Sequence, residues 1–199
     1  MRFSIIIPIH NGANRIGALL DTIKAQTFTD YEILAVCDSC EDDSEAIAES
    51  YGARVFQTDA HNSAAARNVG LDYAVGDFIL FADDDDRWMH RYVLEQIDRE
   101  LNAMEYIPDV IQCSFVFGDR GVTITGNNRI WPNVWSKIWK RSAIGHTRFR
   151  LSDFPADDLG FVNQMLAKGI TVEFLPLLWY DYNYMRPGSI TWGLEQSRR

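Results

Sequence analysis

The chain of 199 residues is 47% apolar and 24% charged, with a formal net charge of −9. These are ordinary globular proportions, which exclude a disordered or collagen-like chain, and the length suits one domain. The acidic balance also argues against general nucleic-acid binding, which draws its affinity from lysine and arginine on phosphates.

Phe3 to Ile9 is a β-branched apolar run, the kind that forms a strand buried on both faces. Asn11-Gly12 breaks it, and from Ala13 to Ala25 the residues Ile16, Leu19, Leu20 and Ile23 fall at helical spacing. Tyr31 to Cys37 reads as a second strand. Asp42, Asp43 and Ser44 are cap residues for a helix running to about Tyr51. Arg54 to Gln57 is a short third strand. Ser63 to Val75 is an alanine-rich helix with Gly76 as its stop. Asp77 to Ala82 is a fourth strand, and Trp88 to Met104 a long helix. Further on, Asp109 to Phe117 reads as a strand, and Gly118 to Thr125, with its Asp-Arg-Gly, as a hairpin turn. Trp131 to Arg141 is dense in tryptophan and lysine. Asp157 to Lys168 is a helix stopped by Gly169, and Thr171–Phe174 and Leu177–Tyr184 are two strands.

Strands alternating with helices predict parallel βαβ units in an open, doubly wound α/β sheet with helices on both faces. Ligands bind such sheets beyond the carboxyl ends of the strands. Three polar clusters follow strands directly: His10-Asn11, Cys37 to Asp43, and Asp83 to Asp86. They should meet on one edge. Nothing in the chain approaches the ~18 apolar residues that span a bilayer. Met1 to His10 lacks a small-residue cleavage site. Three cysteines suit a reducing compartment, so the expected location is cytoplasmic.

The run Asp83-Asp84-Asp85-Asp86 carries the strongest chemistry. Adjacent carboxylates raise one another's pKa, and such runs are usually solvated loops. At the ligand edge of a sheet, however, oxygen-only ligands suit Mg²⁺ or Mn²⁺ shared with substrate phosphates. Asp38 is placed to accept N–H groups of a base or ribose hydroxyls. Asp157-Asp158 reads equally as a helix N-cap pair and as the seat of a general base. Trp135 is an aromatic candidate for an acceptor pocket. A lone Cys37-x-x-Cys40 is a weak metal or redox signal. GxGxxG, GxxxxGK[ST] and GxSxG are all absent.

Four segments together resemble the family 2 glycosyltransferases of the GT-A fold. They are SIIIPIHNGANRIGALLDTIKAQTFTDYEILAVCDSCEDDS, NSAAARNVGLDYAVGDFILFADDDDRW, FPADDLGF and NYMRPGSIT. The resemblance implies a GT-A, Rossmann-like sheet over residues 1–199. Residues 1–105 would bind a nucleotide-sugar and 106–199 would form a smaller acceptor-side region. It implies inverting transfer of a sugar from a nucleotide-diphosphate donor, a UDP-sugar foremost, to an acceptor hydroxyl in polysaccharide synthesis.

Residue by residue, it places Pro8, His10, Asn11 and Asp38 near the base, with Arg67 and Asn68 supporting the nucleotide pocket. Asp83 and Asp85 match the metal-binding D-x-D for Mn²⁺ or Mg²⁺, with Asp84 between them in the donor site. Asp158 matches the general base, and Lys137 a lysine near the diphosphate or acceptor. His10, Cys37 and Ser39 depart from the family's usual tyrosine, aspartate and glycine. The implied partners are the donor and a glycan or lipid-linked acceptor, with no nucleic acid and membrane association only through another protein. The alternatives are a catalytically weak nucleotide-sugar-binding relative and a nucleotidyltransferase. The latter needs a basic, glycine-rich loop that Asn11 to Arg15 does not supply.

Overall fold

The computed structural model describes residues 1–118, 122–124 and 129–183. Strands β1 (Phe3–Ile9), β2 (Tyr31–Asp38), β3 (Arg54–Thr58) and β4 (Phe78–Phe81) pair in parallel in the order β3-β2-β1-β4. Ile5, Ile6, Ile7, Leu34 and Leu80 are wholly buried, as two-faced burial of a parallel sheet requires. Each such side chain contributes roughly 1.5–3 kcal/mol of transfer free energy.

Helix α1 (Ile16–Lys24) buries Ile16, Leu19, Leu20 and Ile23, the four residues whose spacing predicts it. It begins later than Ala13 because the Gly12 carbonyl accepts from both Arg15 and Ile16 in a tight turn. Helices α2 (Ser44–Ser50) and α3 (Ser63–Tyr73) follow β2 and β3. Asn62 caps α3 by accepting the Ala64 amide. That helix ends at Tyr73, so Gly76 is not its stop. A Cβ on Gly76 would lie 2.5 Å from the Ser4 nitrogen and 2.6 Å from the Phe3 carbonyl carbon, so close approach to β1 explains this glycine.

Helix α4 (Val93–Ala103) is shorter than Trp88 to Met104, because Arg87–Trp88 form a small strand, β5. Beyond it lie β6 (Val110–Phe117), β7 (Val122–Ile124), β8 (Lys137–Lys140), α5 (Arg141–Ile144), a 3-10 turn (Leu151–Asp153), α6 (Asp157–Ala167) and β9 (Val172–Tyr182). The two strands expected near the end are one. β9 runs through Pro176 by an irregularity opposite Cys113 and Ser114, which breaks its alternation. β7 pairs antiparallel with β6, as a hairpin would, and its Asp-Arg-Gly tip lies outside the described residues, as does most of NYMRPGSIT.

Antiparallel β8 lies between β4 and β6, and β9 lies parallel to β6. The sheet therefore continues as β3-β2-β1-β4-β8-β6-β9-β5, with β7 beside β6. It is the mostly parallel α/β architecture that the alternating periods predict.

Candidate active site

A cleft of about 490 Å³ opens where β1, β2 and β4 end, facing the start of α6. Pro8, His10, Asp38, Arg67, Asp83, Asp84, Asp85 and Asp158 line it, so the three polar clusters do meet at one edge. Asn11, Asn68 and Lys137 are not part of its lining. Asn11 accepts the Glu41 amide with its side-chain oxygen at 2.8 Å. Asn68 uses both ends of its amide on the backbone of Phe149.

The acidic run is not a solvated loop, because its members face different partners. Asp83 accepts from Arg67 Nη2 at 2.8 Å. Asp84 is gripped by both arms of Arg15, at 3.0 and 2.7 Å. Gly12 leaves room beneath it, since a Cβ there would press on the Asp84 carboxylate that Arg15 holds. Asp85 lines the cleft. Asp86 is buried and accepts from the Tyr180 hydroxyl at 2.7 Å and the Asn183 amide at 2.8 Å. Tyr180 in turn accepts the Asp83 amide at 3.0 Å, so β9 clamps the run from behind. Burial, together with Asp83 and Asp85, raises Asp86 well above the usual carboxylate range. Burial lifts Asp83 to about 7 against the pull of Arg67, with Asp158 and Asp85 pushing it further up.

Arg67, on α3, is the hub. Its Nη1 donates to Asp157 at 2.6 Å and lies 3.5 Å from Asp158, while its Nη2 reaches Asp83. Burial opposes its charge, but Asp158, Asp83 and Asp157 together hold it firmly protonated. The two aspartates that open α6 are thereby told apart. Asp157 is buried and committed to Arg67 and to the Ser63 hydroxyl at 3.1 Å. Asp158 Oδ2 accepts the Val134 amide at 3.0 Å, while its Oδ1, the oxygen 3.5 Å from Arg67, is buried with no hydrogen-bond partner among the described residues. Burial raises the Asp158 pKa, and Asp157 adds to this against Arg67, the Val134 amide and Lys137. A carboxylate short of donors and held above its ordinary range is suited to accept a proton.

Asp38 lines the cleft, yet its carboxylate accepts the backbone amides of Ala60, His61 and Asn62. It shapes the rim ahead of α3. Three non-glycine residues in the loops after β1, β2 and β3 have positive φ: Asn11 at 48°, Ser39 at 53° and His61 at 47°. Such φ values are uncommon outside glycine and cluster where a site fixes the backbone. Trp135 also lines the cleft, stacked on Tyr180 and Tyr182 at 4.7 and 4.6 Å. Arg15 and Tyr180 are site residues that sequence reasoning missed; the cost of burying adjacent carboxylates without a cation is the one signal that could have prompted a search for Arg15.

Cys37 and Cys113 are buried free thiols, and Cys40 is a half-buried one. Among the described residues, no three histidine, cysteine or acidic side chains gather as a cage for a metal ion. The donor set fits a shared ion instead. Six aspartates and two arginines line the cleft, so an entering diphosphate would meet a negative surface unless a further cation came with it. Asp83 and Asp85 have the carboxylate oxygens that would suit Mg²⁺ or Mn²⁺ if phosphates and water completed its sphere.

A mostly parallel sheet whose strand ends gather an arginine hub, an acidic run and a pair of aspartates has the architecture of the GT-A fold. Residues 4–166 match the Glycosyl transferase family 2, and the chain belongs to that family. It is 30% identical to "Glycosyltransferase GlyA" of Streptococcus pneumoniae over 96% of this chain and 31% of that protein. A structure of S. aureus TarS in complex with UDP-GlcNAc is similar, with TM-score 0.81 and 24% identity over 96% of this chain and 60% of that one. The mannosyltransferase PcManGT from Pyrobaculum calidifontis, solved with GDP-Man and Mn²⁺, superposes with TM-score 0.76 at 19% identity over 99% of this chain and 61% of that one. The two structures define the shared fold. The chain spans about a third of the curated relatives first matched, between 31% and 37% of their length. Among the described residues no helix is long and apolar enough to cross a membrane.

Proposed function

We propose that the chain transfers a sugar, with inversion, from a nucleotide-diphosphate donor to an acceptor hydroxyl, and that Asp158 is the general base. The observation that carries this reading is Asp158 Oδ1, buried at the cleft with no hydrogen bond among the described residues and only the Arg67 guanidinium at 3.5 Å, while Oδ2 accepts the Val134 amide. The acceptor oxygen attacks the anomeric carbon, Asp158 Oδ1 takes its proton, and the bond to the diphosphate breaks with its electron pair on the leaving oxygen. Arg67 holds Asp157 and Asp83 in register on either side of the reacting centre. Asp83 and Asp85 are the residues that would hold Mn²⁺ or Mg²⁺, which when bound offsets charge on the leaving diphosphate. The Mn²⁺ in the mannosyltransferase complex supports that reading.

A UDP-sugar is the proposed donor, supported by the TarS complex with UDP-GlcNAc. A cell-surface glycan is the proposed acceptor, supported by relatives named for amylovoran biosynthesis and for poly(ribitol-phosphate). Thermal-shift screening of nucleotide sugars with and without Mn²⁺ tests the donor, since a bound donor stabilises the fold. Asp158→Asn is expected to lower turnover by about 10²–10⁴-fold with donor affinity retained. Equal loss of donor binding would overturn the base assignment.

A further inference from the structure

Lys137 and Gln112 are directly opposed partners of β8 and β6, and both are buried in the sheet. Two adjacent polar side chains inside an apolar sheet are costly unless their hydrogen bonds are met. Here one segment supplies partners to both side chains. Gln112 accepts the Trp131 amide at 2.7 Å and donates to the Arg129 carbonyl at 2.8 Å. Lys137 Nζ donates to the carbonyls of Trp131 and Asn133 and to Asn133 Oδ1. Three acceptors match the three donors of an ammonium. The Trp139 indole N–H pins the same segment by donating to the Val134 carbonyl at 3.1 Å. This segment ends in the Val134 amide that donates to Asp158 Oδ2.

We propose that Lys137, with Gln112 beside it, is a positioning residue for Asp158. It fixes the 129–134 segment so that the Val134 amide occupies one carboxylate oxygen and leaves the other for the acceptor hydroxyl. The chain of contacts runs from ammonium to carbonyl to amide to carboxylate, and Lys137, though not among the cleft's lining residues, also acts on the Asp158 carboxylate through its charge, an effect that N133A leaves intact. The segment is built from the sheet, on which Lys137 and Gln112 act as two struts. The inference rests on Asp158 being the base.

A double-mutant cycle in the whole chain tests it, with turnover and UDP affinity measured for wild type, K137M, D158N and K137M/D158N. If Lys137 acts through Asp158, K137M lowers kcat by about tenfold, the scale of one hydrogen bond to a charged group, with UDP affinity unchanged. In the D158N background K137M then lowers kcat no further. A merely structural lysine would lower kcat by the same factor in both backgrounds, or would reduce folded protein and UDP binding together, and either result overturns the proposal. Should K137M fail to fold, N133A removes one of the three acceptors and enters the same cycle with the same expectation at smaller size. If D158N alone retains turnover, the base assignment falls instead, whatever Lys137 does.

Discussion

The two halves of the molecule bury polar groups in different places. In residues 1–105 the strand interiors are apolar and the polar side chains sit at strand ends. Asp38 and the acidic run lie at the cleft edge, with Ser4 and Glu32 at the opposite edge. In residues 106–183 the strands themselves carry buried polar residues, among them Gln112, Ser114 and Lys137. The contrast follows from topology. A parallel βαβ half makes a site simply by ending its strands together. The antiparallel addition must suspend a segment over that site, and it does so from polar struts inside the sheet.

The largest expected effect comes from breaking the link between the halves. Arg67 stands on α3 and holds two aspartates of α6 as well as Asp83. Arg67→Ala leaves three carboxylates facing one another around a buried gap, and is expected to cost about 3–5 kcal/mol in urea unfolding. Arg67→Lys keeps the charge but loses the fork, so it should recover only part of this. A loss under about 1 kcal/mol for the alanine variant, the scale of a surface ion pair, would show the halves to be independent.

Next in size is Gly76→Ala, which probes the first half alone. The new methyl would meet the backbone of β1 at Phe3 and Ser4, which cannot swing aside as a side chain can. Overpacking of this kind costs about 1–3 kcal/mol. The cleft lies at the other end of the strands, so donor affinity in the folded fraction is expected to be unchanged. The check is denaturation alongside UDP binding.

The same contrast explains what the sequence discloses. Periodicity reveals β1, α1 and β2 because two-faced burial and an amphipathic stripe leave regular patterns, and the strand-end rule then brings His10, Asp38 and Asp83 together. It does not reveal the struts. Nothing in the pattern of residues 109–117 or 131–141 marks Gln112 and Lys137 as buried partners of the 129–134 segment. It also assigns Gly76 to the wrong task, since a helix stop and a close backbone approach both call for glycine. Spacing alone leaves Asp157-Asp158 open between a helix cap and the seat of a base. Arg67, reaching from 90 residues away, binds Asp157 closely at 2.6 Å and Asp158 only at 3.5 Å.

A smaller effect, with a definite dependence on pH, is expected at the edge opposite the cleft. Glu32 is buried and accepts from the Ser4 hydroxyl, the Val75 amide and Arg54. Burial pulls its pKa up, but these three donors outweigh it and hold the carboxyl below its ordinary 4.5. A depressed acid binds fewer protons folded than unfolded, so its stabilisation is present above the ordinary value and is lost as pH falls through the folded one. Glu32→Gln is therefore expected to cost about 1–3 kcal/mol near neutrality. The gap to wild type should close in acid, read by denaturation at a series of pH values. A gap independent of pH would mean that packing, not charge, is what Glu32 supplies.

The smallest effect separates a local contact from one that crosses between the halves. Asn62 accepts the Ala64 amide at 2.9 Å as the cap of α3, and its side-chain nitrogen donates to the Leu151 carbonyl at 3.1 Å. Asn62→Ala removes both and is expected to cost about 1 kcal/mol, the usual worth of a cap. Asn62→Ser keeps an oxygen for the cap but is too short to reach Leu151. Serine caps nearly as well as asparagine, so Asn62→Ser should stay within about 0.5 kcal/mol of wild type if the cap carries the effect. If serine is instead as damaging as alanine, the bond to Leu151 carries it, and the rim ahead of α3 depends on the second half as Arg67 does.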